Sequence, residues 1–243
     1  MRSLIKFLFF GSLVVMAVAF WRKDALPPPV QLLEKLRDEP KQSPVRAQPA
    51  TVTVHGIQYS IQPRYAYELW GLVVAVHDSE TWWDYAHKEW NDYLNVVDLC
   101  VVWGDNVRNG SYQSVSFSHS QWECLYSWTA AGLPFDITAV SNNHLITIEP
   151  AVARRLRQVR IGDQVRFRGY LADYTTYKDG APTGTRVSST VRNDTGNGAC
   201  EVVYIEDFEI LKAGDGTWRT LGKIGIFVFF ASIVGWFWLP LRV

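Results

Sequence analysis

Two long apolar runs, one near each end of the chain, constrain this sequence more than any other feature. The first run, FLFFGSLVVMAVAFW, covers residues 7–21, and the second, IGIFVFFASIVGWFWLPL, covers residues 224–241. Neither run contains a charged residue, and their lengths approach the roughly 20 residues that a helix needs to cross a bilayer. A helix that is apolar all round offers no polar face to water. The sequence therefore predicts transmembrane helices at residues 1–23 and 221–243.

The first run has an alternative interpretation, which is a cleaved secretory signal peptide. Arg2 and Lys6 precede the run and form a short basic tail of the kind that starts such signals. A signal also needs small residues at its cleavage site, and residues 17–19, followed by Phe20 and Trp21, make a poor one. We therefore interpret the run as an uncleaved anchor.

The charge of the chain is divided unevenly between its parts. The whole sequence has 24 basic and 24 acidic residues and no net charge. Residues 50–215 contain 13 Lys plus Arg and 20 Asp plus Glu, a net of −7, so the remainder carries +7. Nucleic-acid binding depends mainly on Lys and Arg that neutralise phosphates, so we expect no such partner for the acidic domain. The basic flanks suit anionic headgroups, and membrane lipids are the first expected partner.

The side of the membrane on which the central domain lies has two interpretations. More Lys and Arg lie at the inner ends of the two runs than at their outer ends, which favours a cytoplasmic domain, but this rule weakens for long loops. The signal-like start favours the opposite side. Three cysteines, which permit one disulfide in an oxidising compartment, are compatible with it. We predict an extracytoplasmic domain at an inner or plasma membrane. The disulfide candidates, in three possible pairings, are Cys100, Cys124 and Cys200.

Between the predicted helices, a linker precedes a β-rich domain. Residues 24–50 contain six prolines, which is typical of a semi-rigid linker. From residue 51 to 215, runs rich in Val, Ile, Tyr and Trp alternate with turn residues. One short helix is predicted at residues 149–159 from its helical spacing of apolar residues. The predicted strands cover residues 67–77, 96–103, 114–118, 123–128, 143–148, 163–176 and 199–211, with a hairpin arm at 185–191 and turns at Asp179-Gly180 and Asn197-Gly198.

Several strands, one short helix and then two more long strands form an order similar to that of OB-folds. These are small five-stranded β-barrels whose helix lies between the third and fourth strands. The stretch Ile161-Gly-Asp-Gln-Val-Arg-Phe-Arg-Gly169 resembles the way many OB-folds enter their fourth strand. The layout as a whole is similar to bacterial membrane-anchored proteins with such a domain. The resemblance covers residues 66–211 and implies a mainly β, OB-like small β-barrel flanked by two transmembrane helices, but no particular activity.

The most unusual local composition, DSETWWDYAHKEWNDYLN, covers residues 78–95 between the first two predicted strands. OB-folds commonly bind ligands with this loop. One interpretation is a stacking platform for a sugar, a peptide or a single-stranded base. The other is a helix, capped by Ser79 or Thr81, that packs an aromatic stripe on the barrel. The candidate binding residues are Trp82, Trp83, Tyr85, Trp90 and Tyr93.

Catalytic motifs are scarce. Ser118, His144 and Asp136 have the residue types of a Ser-His-carboxylate triad, but such triads are recognised by geometry. The Gly-x-Ser-x-Gly elbow of many hydrolases does not occur in the sequence. We therefore assign no catalytic residue and lean against an enzyme, keeping His144, His119 and Ser118 only as candidates.

Metal motifs are equally scarce. Neither Cys-x-x-Cys nor His-Glu-x-x-His occurs, and His77, Asp78 and His87 do not have the spacing of a recognised site. We therefore expect neither a metal nor a cofactor.

Together these observations predict a membrane-anchored, extracytoplasmic binding or structural protein. Its expected partner is an envelope protein or a glycan that contacts the aromatic segment. The alternatives are a membrane-anchored envelope hydrolase that uses His144 or His119, and a cytoplasmic nucleic-acid-binding OB domain. The sequence predicts no particular oligomeric state.

Overall fold

A computed structural model describes residues 2–129, 132–194 and 199–238, and the chain divides into two units. One unit contains both ends of the chain, Met1–Ala25 and Asp215–Val243, and the other contains Leu26–Gly214. The turn predicted at Asn197-Gly198 and the last residues of the second apolar run lie outside the described residues.

The unit formed by the chain ends is a helical hairpin. Its helices are α1 (Arg2–Arg22) and α5 (Thr217–Trp238). Both are long and apolar enough to cross a membrane. They run antiparallel, because the Lys6 ammonium lies 5.8 Å from the Trp236 ring while the Phe9 and Phe229 rings lie 5.0 Å apart.

The second unit is mainly β-sheet. Its short helices are α2 (Ala86–Glu89), α3 (Gly104–Asn109) and α4 (Pro150–Leu156). Within the described residues, eight strands form one sheet, and β5 and β6 form a separate hairpin. The strands are β1 (Lys41–Pro44), β2 (Ala50–Val54), β3 (Ile57–Asp78), β4 (Asn95–Val102), β5 (Val115–His119), β6 (Cys124–Trp128), β7 (Val140–Ile146), β8 (Gln164–Lys178), β9 (Ala181–Arg186) and β10 (Glu201–Lys212).

Five strands of the sheet close into a ring. Their order is β3-β4-β7-β10-β8, and the ring closes because β3 pairs with both β4 and β8. The neighbours are antiparallel except β7 and β10, which run parallel with Val202 opposite His144. A parallel pair needs a long crossover, and here α4, β8 and β9 lie within it. The prediction of a mainly β domain with a short helix before its last long strands is confirmed.

The largest part of the core lies inside this ring, and β4 shows why its sequence is so apolar. Its residues, NVVDLCVV, are buried at every position, because β4 is flanked by β3 and β7 and covered on both faces. Leu99 and Phe167 lie in the largest buried cluster, and Val152 and Leu156 of α4 cover it. Asp98 interrupts the apolar run and is fully buried, so its carboxylate requires partners inside the domain.

Residues 24–50, which the prolines suggest to be a linker, instead fold largely against the sheet. Strand β1 pairs with β3. Leu36 is fully buried beside Leu72, and the Tyr112 hydroxyl donates a hydrogen bond of 2.5 Å to the Pro27 carbonyl. Apolar side chains between the prolines provide this packing, so the prolines shape a covering segment.

One disulfide ties the β5–β6 hairpin to the ring. It joins Cys100 of β4 to Cys124 of β6, while Cys200 is a free thiol. Of the three pairings open from the sequence, the structure therefore contains this one.

Candidate functional site

The aromatic segment forms an exposed loop. We use the name aromatic loop for residues 79–94, which connect β3 to β4. The side chains of Trp82, Tyr85 and Trp90 are 90%, 69% and 67% exposed. Trp83 and Tyr93, at 44% and 38%, are more covered but still accessible. All five predicted binding residues thus reach solvent from one loop.

The alternative prediction, a capped helix that packs its aromatic stripe on the sheet, is wrong. Helix α2 covers only four residues of the loop. The Asp78 carboxylate forms a turn by accepting from the Glu80 amide, and the Asp84 carboxylate accepts from the His87 amide in the first turn of α2, so the helix begins only after Asp84. Asn91, at a φ of 54°, then turns the chain into a left-handed conformation that ends the helix.

Behind the exposed aromatic side chains of the loop, three buried polar side chains meet. Asp84 Oδ2 lies 2.6 Å from His77 Nε2 and 2.6 Å from His87 Nδ1. His77 is positioned by the end of β3, Asp84 by the turn that follows and His87 by α2. Burial raises the pKa of Asp84, but hydrogen bonds from the two histidines outweigh it, so the pKa lies below its usual value. The carboxylate is therefore ionised between two imidazoles.

The hydrogen-bond chain continues from His87 into β4 and β7. Asn95 Nδ2 lies 2.8 Å from His87 Nε2 and 2.7 Å from Asp98 Oδ1, and His144 Nδ1 lies 2.7 Å from the same Asp98 oxygen. These contacts assign His87 as the tautomer that donates from Nδ1 and accepts at Nε2. Burial lowers the pKa of His144, which favours its neutral form. Burial raises the pKa of Asp98, but the interaction with His144 lowers it by a larger amount. The pKa therefore lies below its usual value, and this carboxylate is ionised.

The far end of the chain reaches Arg186. Its guanidinium lies 3.4 Å from His144 Nε2 and 3.4 Å from Asp92 Oδ2, which also accepts a 2.7 Å hydrogen bond from the Tyr174 hydroxyl. Burial raises the pKa of Tyr174 well above its usual value, so the phenol keeps its proton and acts as a donor. We use the name polar network for this chain, which consists of His77, Asp84, His87, Asn95, Asp98, His144, Arg186, Asp92 and Tyr174.

The polar network is not closed on itself. Among the residues that the structure describes, Asp92 Oδ1, Asn95 Oδ1 and Asp98 Oδ2 are buried acceptors without a hydrogen-bond partner. An unsatisfied buried polar group costs about 1–3 kcal/mol, and native domains have few. Asp98 Oδ2 lies 3.8 Å from His87 Nε2. The network therefore has unused capacity for a proton donor or a cation.

Trp122 joins the network to the surface, and the sequence analysis did not single it out. Its ring stacks on His87 at a centroid distance of 4.0 Å, and the Arg186 guanidinium lies 4.1 Å from its centroid. Trp83 of the aromatic loop approaches His77 at 4.9 Å. The exposed aromatic groups and the buried network thus form one continuous region.

The structure does not assemble the triad considered from the sequence. His144 is fully buried and bonds to Asp98, whereas the Asp136 carboxylate accepts from Thr138. Ser118 lies on β5, opposite Leu125. In the described part of the chain, no hydrogen bond links Ser118, His144 and Asp136.

His119 and Cys200 lie beside the network. His119 Nε2 is 2.8 Å from Asn142 Oδ1, and the Asn142 amide nitrogen lies 3.4 Å from the Cys200 sulfur. The His119 ring also stacks on His77 at 5.9 Å. Burial raises the pKa of Cys200, which favours the unreactive thiol. This arrangement therefore provides no activated nucleophile.

The three ligand-type atoms of His77, Asp84 and His87 lie within 4.8 Å of one another, so these residues could hold a metal ion. The sequence does not predict this group, because the residue next to His77 is Asp78, whereas the fold of the loop brings in Asp84.

No known protein family, curated protein or solved structure matches this chain.

Proposed function

We propose that this protein is a membrane-anchored binding protein whose aromatic loop recognises a glycan of the cell envelope. The observation that carries the proposal is the exposure of three large aromatic side chains, Trp82, Tyr85 and Trp90, on one loop. Aromatic faces exposed in this way mark binding sites, because leaving them in water is unfavourable unless a partner covers them.

The chemistry around the loop favours an uncharged, hydroxyl-rich partner. A sugar presents apolar C–H faces that stack on indole rings and hydroxyls that bond to carboxylates and amides. Glu89 lies in the same loop and is exposed, which provides such an acceptor, while the nearby Glu80 carboxylate pairs with Arg157 at 2.6 Å. The net charge of −7 over residues 50–215 disfavours nucleic acid and other polyanions.

The ring of strands supports an OB-like domain as the scaffold. Its order places β3 and β4 first and second, with α4 between the third and fourth ring strands, β7 and β8. In OB-folds the loop between the first two strands is a common ligand-binding element. The aromatic loop occupies this position.

Membrane anchoring and an extracytoplasmic domain are supported by two further observations. α1 and α5 are long and apolar enough to span, and their antiparallel packing suits two spans that cross a membrane in opposite directions. The disulfide between Cys100 and Cys124 suits an oxidising compartment.

The test is oligosaccharide binding by the full-length protein in detergent micelles. A panel of neutral envelope oligosaccharides is titrated while tryptophan fluorescence is followed. Replacing Trp82, Tyr85 and Trp90 together by Ala removes the stacking surface, and we expect at least a tenfold loss of affinity, or about 1.4 kcal/mol. Trp128→Ala removes an exposed indole outside the loop and serves as the control.

Equal affinity of the triple variant and the wild type would refute the loop as the binding surface. If no oligosaccharide binds, but photo-crosslinkers at position 82 capture one envelope protein in cells, the protein alternative replaces the glycan. Loss of binding in Trp128→Ala as well would indicate unfolding rather than a lost contact, and circular dichroism of each variant distinguishes these cases.

A further inference from the structure

The donor set of His77, Asp84 and His87 is of the kind that binds divalent transition metals. Two imidazole nitrogens and one carboxylate oxygen are ordinary ligands of Zn²⁺, and three protein ligands leave a fourth position for water. The three side chains are at most 3% exposed, so water does not compete freely for their ligand atoms. Their convergence is a property of the loop fold, not of a local sequence motif.

The distances fit a cation after a small movement. Asp84 Oδ2 now lies at hydrogen-bond distance, 2.6 Å, from each imidazole nitrogen. Ligands at about 2.0–2.2 Å from a tetrahedral zinc ion stand roughly 3.3 Å from one another. Insertion of the ion therefore requires Asp84 to withdraw by roughly 0.7 Å from each histidine. It also requires the two imidazole nitrogens, which lie within 4.8 Å of each other, to take a similar spacing, and side-chain rotations provide both movements.

Asp98 provides an independent observation that favours this site. A cation on His87 Nδ1 takes that nitrogen's lone pair, so the ring proton moves to Nε2. This nitrogen must then turn from the Asn95 amide donor, now 2.8 Å away, toward an acceptor. Asp98 Oδ2 is buried, has no hydrogen-bond partner and lies 3.8 Å from His87 Nε2. Metal-bound histidines typically donate their other N–H to a carboxylate. The unpaired oxygen is thus placed where the metal-bound form of His87 needs it.

The geometry points to a divalent metal site of the zinc class, ligated by His77 Nε2, Asp84 Oδ2 and His87 Nδ1, with Asp98 as the outer carboxylate that orients His87. Two of its ligands, Asp84 and His87, belong to the aromatic loop, but ion binding does not depend on glycan binding. The competing explanation is a purely hydrogen-bonded cluster in which Asp84 keeps its present contacts with both histidines and no ion binds. The two explanations differ in whether the cluster binds an ion.

The experiment uses the full-length protein in detergent micelles, stripped with a chelator and then titrated with Zn²⁺ by calorimetry and with Co²⁺ by visible absorption. We expect one equivalent of each ion and the intense d–d bands of four-coordinate Co²⁺. Asp84→Asn should abolish this spectrum. Asp98→Asn should keep it but weaken Zn²⁺ binding by about 10- to 100-fold. The control is His55→Gln, which changes an exposed histidine on another turn and should bind like the wild type.

Absence of saturable Zn²⁺ binding by the wild type would overturn the proposal. The same follows if Asp84→Asn gives an unchanged Co²⁺ spectrum, or if Asp98→Asn binds as tightly as the wild type. Should Asp98→Asn fail to fold by circular dichroism, His77→Gln provides the second ligand variant, and an unchanged affinity there equally refutes the site. Because no oligosaccharide is present, these results are separate from the test of the aromatic loop.

Discussion

Among the glycines that the structure describes, Gly169 leaves the least room for an added Cβ atom. It lies in β8 at the point where the pairing with β10 shifts register, between Ile205 and Asp207. A Cβ atom at position 169 would stand 1.9 Å from the Tyr204 carbonyl oxygen and 2.9 Å from its carbonyl carbon. Both atoms belong to the backbone of β10, so no side-chain rotation makes room for the methyl group.

The size of the effect follows from that overlap. An ordinary contact to a Cβ is about 3.4 Å, so Gly169→Ala forces two hydrogen-bonded strands roughly 1.5 Å apart or distorts both. Overpacking costs about 1–3 kcal/mol where side chains yield, and rigid backbone places this case at about 3 kcal/mol or above. For a domain of 150–250 residues, each kcal/mol lowers Tm by about 2–4 °C, which gives an expected decrease of about 6–12 °C.

The assay is thermal unfolding of the full-length protein in detergent, followed by the β-sheet circular dichroism signal. Gly184→Ala on β9 is the matched control, because its added Cβ meets nothing within 4 Å and its φ is not in the left-handed region. We expect the control to melt within about 2 °C of the wild type. If Gly169→Ala also melts within that range, β8 and β10 do not pair as described and the ring is not closed there.

Two further predictions concern the stability of the second unit. Burial raises the pKa of Glu201 from 4.5 to about 8, against the opposing effect of Arg192. The contribution of Glu201 to the unfolding free energy is therefore complete below pH 4.5 and is lost as the pH rises through 8. In the wild type we expect the unfolding free energy to decline by roughly a few kcal/mol over this range. Glu201→Gln should remove that decline from denaturation curves measured between about pH 4 and 9. Coinciding pH profiles would contradict this. Replacing Cys100 and Cys124 by Ala should lower the unfolding free energy by about 3 kcal/mol, because the disulfide closes a loop of 24 positions. Equal denaturation midpoints for the variant and the oxidised wild type would count against it.

Several strands were predictable because the signal is local, whereas β1, β2 and the first ten residues of β3 were not predicted, and the hairpin arm predicted at 185–191 lies at Ala181–Arg186. Strand β4 and helix α4 each lie within a few residues of their predicted limits, since apolar runs and helical spacing are read from neighbouring residues. The closure of the ring was not predictable, because β3 and β8 are far apart in the sequence. The packing of residues 24–50 was not predictable, because the six prolines are typical of a linker and the burial of Leu36 depends on a partner surface.

The candidate site was only half predictable. The aromatic loop stands out by composition, but the observed helix covers only Ala86–Glu89, because the Asp78 turn precedes it and Asn91 ends it. The polar network joins residues from separate strands, so no motif describes it. One clue was present: Asp98 lies inside an otherwise apolar strand, and a buried carboxylate needs buried partners. That clue predicts a network but not its members.

The length of β3 has a consequence for biogenesis. Gln58 pairs with Tyr177 and Leu72 with Gln164, so its main ladder joins positions about 90 to 120 residues apart. During synthesis, β3 leaves the ribosome long before β8 exists, and its apolar face stays uncovered until most of the domain has been made. We therefore expect slow folding after release of the domain, and a need for chaperones during the interval in which β3 waits for its partner.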